Sequence, residues 1–233
     1  MPIKAVRSSV TLDLAGARVP SIMLLPDGPG RFPAALLLHG YSSSKERLAD
    51  SFGRALAARG IASLAIDLPL HGARDDAMIE EARRNPLGLV QHWKMALAEA
   101  QAAIGWLARH DAIDAGRLNV TGYSLGSYVA LQTAASSDVV RSVIVAAGGD
   151  LPATPWTSMV RMISDPLRSV RSLRGRPLLV LHGRQDRTIA PDQAQRLYDA
   201  AAQPKEFRWY DAGHVLPGAA GDDAATWLLQ AMN

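Results

Sequence analysis

Five short runs, each the length of one β-strand and largely apolar, recur along the chain: "AALLLHG" (34–40), "IASLAID" (61–67), "RLNVTG" (117–122), "SVIVAAG" (142–148) and "PLLVLHG" (177–183). Runs of this kind do not alternate apolar with polar, so they have no side that tolerates water. They fit strands buried on both faces, as in a parallel sheet covered by helices. Helical stretches separate or follow them, at about 45–59, 93–110, 124–136, 191–202 and 222–232, and "EFRWYD" (206–211) supplies one more strand. Strands alternating with helices require right-handed crossovers, so the expected class is α/β with a mostly parallel, doubly wound sheet. Ahead of this pattern, residues 5–14 and 17–26 are two β-rich runs separated by "AG", which reads as an antiparallel hairpin.

With 233 residues, 48% of them hydrophobic, the chain can bury a substantial core, and one domain spanning 1–233 is expected. Two connections exceed ordinary loop length, 68–92 and 149–176, and are expected to act as short lids. The charge balance is nearly even, 25 Lys and Arg against 22 Asp and Glu. No basic stripe interleaved with aromatics is visible, so a nucleic-acid partner is not expected. The triplet-spaced Arg168, Arg171 and Arg174 read as a solvated face. The chain has no cysteine, which removes disulfides, thiol nucleophiles and Cys-ligated metals together. No signal-like or membrane-spanning apolar segment is present, so a cytoplasmic location without membrane attachment is expected; the oligomeric state is left open.

In an open parallel sheet, ligands bind beyond the carboxyl ends of the strands. Four such ends carry reactive or small groups: "HGYSSS", "GYSLG", "HGRQD" and "DAGH". In "GYSLG" the serine stands on a strand-to-helix turn sharp enough that side chains two positions away would collide with it, and Gly122 and Gly126 remove that collision. Ser124 is therefore a candidate nucleophile rather than an ordinary helix cap. The helix that starts there aims its free N–H groups at the same point, so the Leu125 N–H can donate to an oxyanion. A serine needs a base, and the base needs a carboxylate. Asp186 and His214 follow Ser124 in that order, with Asp150 and Asp165 as alternative acids on the preceding connection.

Taken in order, "HGYSSSK", "DLPLHGAR", "GYSLG", "HGRQDRTIAP" and "AGH" resemble the successive signatures of the α/β-hydrolase family, over nearly the whole length. The chain is similar to small bacterial esterases of the dienelactone-hydrolase-like and prolyl-oligopeptidase-like branches. It departs from true dienelactone hydrolases, whose nucleophile is a cysteine. The resemblance implies Ser124 as nucleophile, Asp186 as orienting acid, His214 as base, and the Tyr41 and Leu125 N–H groups as the oxyanion hole. It also implies a small-molecule carboxylic ester as substrate and no cofactor; the two lid segments, each under 30 residues and carrying Pro69, Pro86, Pro152, Pro155 and Pro166, are too short for a long tunnel, so short- to medium-chain esters are expected. Thioesterase, amidase, peptidase or perhydrolase chemistry would use the same groups, and a non-catalytic binding protein on the same fold is the reading from another class.

His39, His71 and His182 lie at separate strand ends without the close pairing of zinc ligands, so no metal is expected. His39 and His182 are expected to hold their loops by hydrogen bonds, and Asp67 to organise the "LPLHG" turn. The substrate pocket is expected from the two long connections, with Leu70, Met78, Ile79, Leu151 and Met162 as apolar lining and His71, Trp156 and Met159 as substrate contacts.

Overall fold

The computed structural model describes residues 3–74, 84–85 and 88–232. The strands form one eight-stranded sheet in the order β1-β2-β4-β3-β5-β6-β7-β8. Its members are β1 (Ala5–Leu14), β2 (Ala17–Pro26), β3 (Phe32–Leu38), β4 (Ala62–Ile66), β5 (Ile113–Tyr123), β6 (Val140–Ala146), β7 (Leu178–Gly183) and β8 (Lys205–Tyr210). β1 and β2 pair antiparallel, with Leu14 facing Ala17 across a turn whose residues Ala15 and Gly16 both have positive φ (50° and 83°). β2 also runs antiparallel to β4, and from β4 onward every pairing is parallel.

The helices are α1 (Lys45–Leu48), a π-helical turn (Ala49–Gly53), α2 (Arg54–Ala57), α3 (Gly88–Arg109), α4 (Leu125–Ala135), α5 (Pro155–Ile163), α6 (Pro166–Arg171), α7 (Pro191–Ala200) and α8 (Ala219–Ala231). The central strands are apolar on both sides because each side has its own helices. Leu36, Leu38, Leu64, Ile66, Val120 and Val143 point into a core shared with α3 and α4. Ala35, Leu37, Ala65, Ile144, Leu179 and Leu181, one position out of phase, point into a second core beneath α1, the π turn, α2 and α8. The period-two alternation of a strand thus splits each uniformly apolar run between two layers. In α3 the buried positions Ala96, Ala100, Ala103, Ile104 and Leu107 recur at helical spacing, and their small side chains bring the helix close to the sheet.

This topology determines where a ligand can sit. The chain runs from β3 outward to β4, then returns across β3 to β5, so the connections on either side of β3 leave in opposite directions. A crevice opens beyond the carboxyl ends of β3 and β5, whose last paired residues are Leu38 and Gly122. β8 is the far edge strand, and its residues are half-buried where those of β7 are buried throughout.

Candidate active site

Ser124 sits between β5 and α4 with φ 51° and ψ −115°, a conformation that non-glycine residues rarely adopt. Its N–H donates to the Ala146 carbonyl at 2.8 Å, and its own carbonyl accepts from the Ser127 N–H at 2.9 Å, so the turn is held from both ends. The flanking glycines are required by contact. A Cβ on Gly122 would lie 2.5 Å from Ser127 Cα, and one on Gly126 would lie 2.6 Å from the His39 carbonyl oxygen. A Cβ on Gly40 would meet Ser124 Cβ at 3.2 Å, so the end of β3 is also pressed against the serine.

His214 Nε2 lies 2.9 Å from Ser124 Oγ, and His214 Nδ1 lies 2.7 Å from Asp186 Oδ2. These three residues come from the ends of β5, β7 and β8, which the sheet places side by side in the order β5-β6-β7-β8. Asp186 is buried, and its other oxygen accepts from the Thr188 N–H at 2.8 Å and the Ile189 N–H at 3.0 Å, so the carboxylate cannot turn away from the imidazole. The loop carrying His214 lies directly on the end of β7. Gly183 there leaves no room for a Cβ, which would collide with the Ala212 and Gly213 carbonyls, and the Gln185 N–H donates to the Ala212 carbonyl at 3.0 Å.

One residue in this assembly is not singled out by the sequence motifs. Tyr123, the variable position before the serine, donates from its hydroxyl to the His214 carbonyl at 2.6 Å and accepts from the Leu216 N–H at 2.9 Å. Its ring meets the His214 ring edge-on at 6.1 Å, and burial pushes its phenol pKa up. The same turn that presents Ser124 therefore also grips the segment that presents His214. A tyrosine inside a glycine-flanked turn was the available signal, but its reach across 91 residues was not readable from spacing.

The other strand-end histidines are engaged with the backbone. His39 is fully buried, donates from Nδ1 to the Gly40 carbonyl at 2.8 Å and accepts at Nε2 from the Leu68 N–H at 3.0 Å. Burial lowers its pKa to about 4, which keeps it neutral and able to make both bonds. His182 donates from Nε2 to the Ile189 carbonyl at 2.9 Å, and burial lowers its pKa as well. Asp67 does organise its turn, accepting from the Lys45 N–H at 2.8 Å, the Lys45 ammonium at 2.8 Å and the Ala73 N–H at 2.9 Å. Burial works against the charge on Lys45, but its bonds to Asp67 and Glu46 outweigh that and hold its pKa above the ordinary value.

The alternative acids are otherwise occupied. Asp150 binds Arg161 at 2.6 Å and Arg196 at 3.2 Å, and Asp165 caps the start of α6 through the N–H groups of Leu167 and Arg168. Leu125 is the first residue of α4, where backbone N–H groups have no partner inside the helix, and Tyr41 follows Gly40 at the mouth of the crevice.

Residues 35–227 match the alpha/beta hydrolase family. The chain belongs to that family. It is 28% identical over 201 residues to Esterase YjfP of Escherichia coli (strain K12), a match that covers 73% of this chain and 75% of that protein. It is 26% identical over 201 residues to an uncharacterized protein of Mycobacterium tuberculosis (strain ATCC 25618 / H37Rv), covering 83% of this chain but 64% of that longer relative. Among solved structures, dienelactone hydrolase from Anabaena variabilis superimposes with a TM-score of 0.71 at 18% identity, over 97% of this chain and 98% of that one, a likeness of fold.

In this alpha/beta hydrolase the cavity that reaches Ser124 and His214 has a volume of about 330 Å³. Its walls are Leu48 of α1, Phe52 of the π turn, Tyr123, and Leu216 and Pro217 from the segment leading to α8, with Arg47 also lining it. Among the described residues, the long connections expected to form the pocket do not contribute to this lining. The reason is that their described parts are tied down elsewhere. After β4 the chain turns back onto Asp67, and Arg74 forms a two-pronged ion pair with Glu99 of α3 at 2.5 and 2.9 Å. Residues 149–176 fold into α5 and α6, with Ile163 bound through its carbonyl to Gln132 of α4 at 2.8 Å. Leu151 is buried and Met162 is exposed.

Among the described residues, His71 does not line this cavity. It is 1% exposed, bonded through Nδ1 to the Pro69 carbonyl, and roofed by the Tyr41 ring at 5.7 Å. Trp156 and Met159 belong to α5 by their backbone, but their side chains fall outside the described residues, as do Met78 and Ile79 entirely. Arg168, Arg171 and Arg174 are exposed, as a solvated face requires. Among the described residues there is no cluster of potential metal ligands, and no helix is long and apolar enough to cross a membrane.

Proposed function

We propose that the protein is a serine hydrolase that cleaves short- to medium-chain carboxylic esters through an acyl-enzyme on Ser124. The reading rests above all on the unbroken hydrogen-bonded chain from Ser124 Oγ through His214 to Asp186. A hydroxyl near neutral pH is a poor nucleophile, and an imidazole at hydrogen-bond distance can take its proton as the bond to the ester carbon forms. His214 then returns that proton to the leaving alcohol, and activates the water that releases the acid. Asp186 holds the tautomer with the proton on Nδ1 and offsets the imidazolium charge. The N–H groups of Leu125 and Tyr41 receive the negative charge on the carbonyl oxygen, a contribution of roughly 3 to 4 kcal/mol per donor in such sites.

The cavity size supports the chain-length preference. At about 330 Å³ it lies at the small end of ligand pockets. A buried methylene contributes about 0.8 kcal/mol only while there is room for it. Purified protein should therefore hydrolyse p-nitrophenyl esters with a kcat/KM maximum at short to medium acyl chains, and Ser124→Ala should lose several orders of magnitude of turnover together with labelling by a fluorophosphonate. Full labelling of the variant would remove Ser124 from the nucleophile's role, and a maximum at palmitoyl esters would contradict the pocket assignment.

A further inference from the structure

The cavity beside Ser124 is apolar over most of its wall, yet it contains one cation with nothing to neutralise it. Arg47 is exposed and lines the same cavity as Ser124 and His214. Among the described residues its guanidinium makes no ion pair or hydrogen bond. The carboxylates nearest to it in the chain, and the first on α8, are all engaged with other bases. Glu46 binds Lys45 at 2.7 Å, Asp50 binds Arg7 at 2.7 Å and Arg54 at 3.0 Å, and Asp222 binds Arg59 at 2.8 Å. Among the described residues, no Asp or Glu lines the cavity, and His214 is the only other ionisable group there apart from the Tyr41 and Tyr123 phenols.

An unpaired guanidinium on the rim of a low-dielectric cleft attracts anions more strongly than one on an open surface, and its planar fork matches a carboxylate with two parallel hydrogen bonds. The rest of the wall, Leu48, Phe52, Tyr123 and Leu216, suits a short hydrocarbon segment. Building on the esterase reading, we propose that the favoured substrates are esters that carry a free carboxylate. The ester carbonyl meets Ser124, a short apolar spacer lies along Leu48 and Phe52, and the carboxylate is bound by Arg47. The selectivity arises in binding and leaves the chemical step to the groups already described.

Two pairs of esters test this, each differing in charge at similar size. p-Nitrophenyl hemiglutarate against p-nitrophenyl pentanoate places the charge on the acyl side. 4-Carboxyphenyl butanoate against 4-carbamoylphenyl butanoate places it on the leaving group. The readout is the ratio of kcat/KM for the anionic ester to that for its neutral counterpart, in wild type, Arg47→Gln and Arg47→Glu. In at least one pair the wild-type ratio should exceed that of Arg47→Gln by about tenfold, with Arg47→Glu lower still, and the difference should shrink as NaCl rises from about 50 to about 500 mM. Equal ratios in all three proteins for both pairs would overturn the proposal while leaving ester hydrolysis intact. Failure of the wild type to turn over any of the four esters would instead strike the esterase reading. Calorimetric titration of the monomethyl ester of glutaric acid into Ser124→Ala and into Ser124→Ala/Arg47→Gln reads the same contact without turnover, and equal affinities would also reject it.

Discussion

β3 and β8 each end near a histidine, and the two side chains have opposite circumstances. His39, just past β3, spends both ring nitrogens on backbone groups, is fully buried, and has its pKa lowered to about 4. His214, past β8, spends both on side chains, Ser124 and Asp186, and remains a quarter exposed. Backbone partners cannot exchange protons near neutral pH, so a histidine bound only to them is a fixed brace. A hydroxyl and a carboxylate can share or surrender a proton, so a histidine bound to them can act as a base. On the proposed reading, what would separate a bracing histidine from a reactive one is the chemistry of its two partners rather than its position at a strand end.

The largest expected effect tests the reactive side of this contrast. Asp186→Asn should preserve the fold but lower kcat by about 10⁴, because the amide would favour the wrong imidazole tautomer. Asp150→Asn, which loosens Arg161 and Arg196, should cost stability and change kcat only a few-fold. Steady-state kinetics on both variants would show it, and the reverse ranking would move the acid to the other loop.

The next effect tests the structural side. His39 has a folded pKa below its unfolded value, so the unfolded chain binds the extra proton first as pH falls. Its contribution to stability is therefore complete above about pH 6.5 and is lost progressively down to about pH 4, a change on the order of 3 kcal/mol. His182 adds to the loss in the same direction. Urea unfolding at pH 7 and pH 4.5 should show a smaller decrease for His39→Gln than for wild type. An equal decrease would mean that His39 is not the neutral brace described.

The smallest effect concerns the link between the serine and base segments. Tyr123→Phe keeps the ring but removes the hydroxyl that bonds to His214 and Leu216. It should lower kcat about tenfold with little change in KM, since the base becomes less well placed while the cavity wall is retained. A rise in KM at constant kcat would make Tyr123 a substrate contact instead.

The parts of the molecule legible in the sequence are those governed by local rules. Apolar runs at strand length announced the sheet, and Gly122 and Gly126 announced the turn because no other residue clears the contacts there. Asp186 and His214 came from strand ends, which the sheet order alone brings within reach of Ser124. The cavity was not legible, because it depends on helical phase. Leu48, Ser51 and Phe52 face it across the π-helical turn Ala49–Gly53, and one extra residue in a turn rotates everything after it by about 100°. His71 was misread because "LPLHG" places it at a strand end, while the rings of His39 and Tyr41, about thirty positions earlier, pack edge-on against it in the fold.

The edge position of β8 has a kinetic meaning. His214 follows β8, an edge strand paired on one side only, whereas Ser124 stands at the centre of the sheet. Edge elements open at lower free energy than the core they border. On the proposed reading, turnover needs an edge element that opens more readily than the core, so activity on warming or in denaturant should vanish while most helical signal survives. In a refolding experiment, regained turnover would time the closure of the sheet's final strand rather than the collapse of the chain.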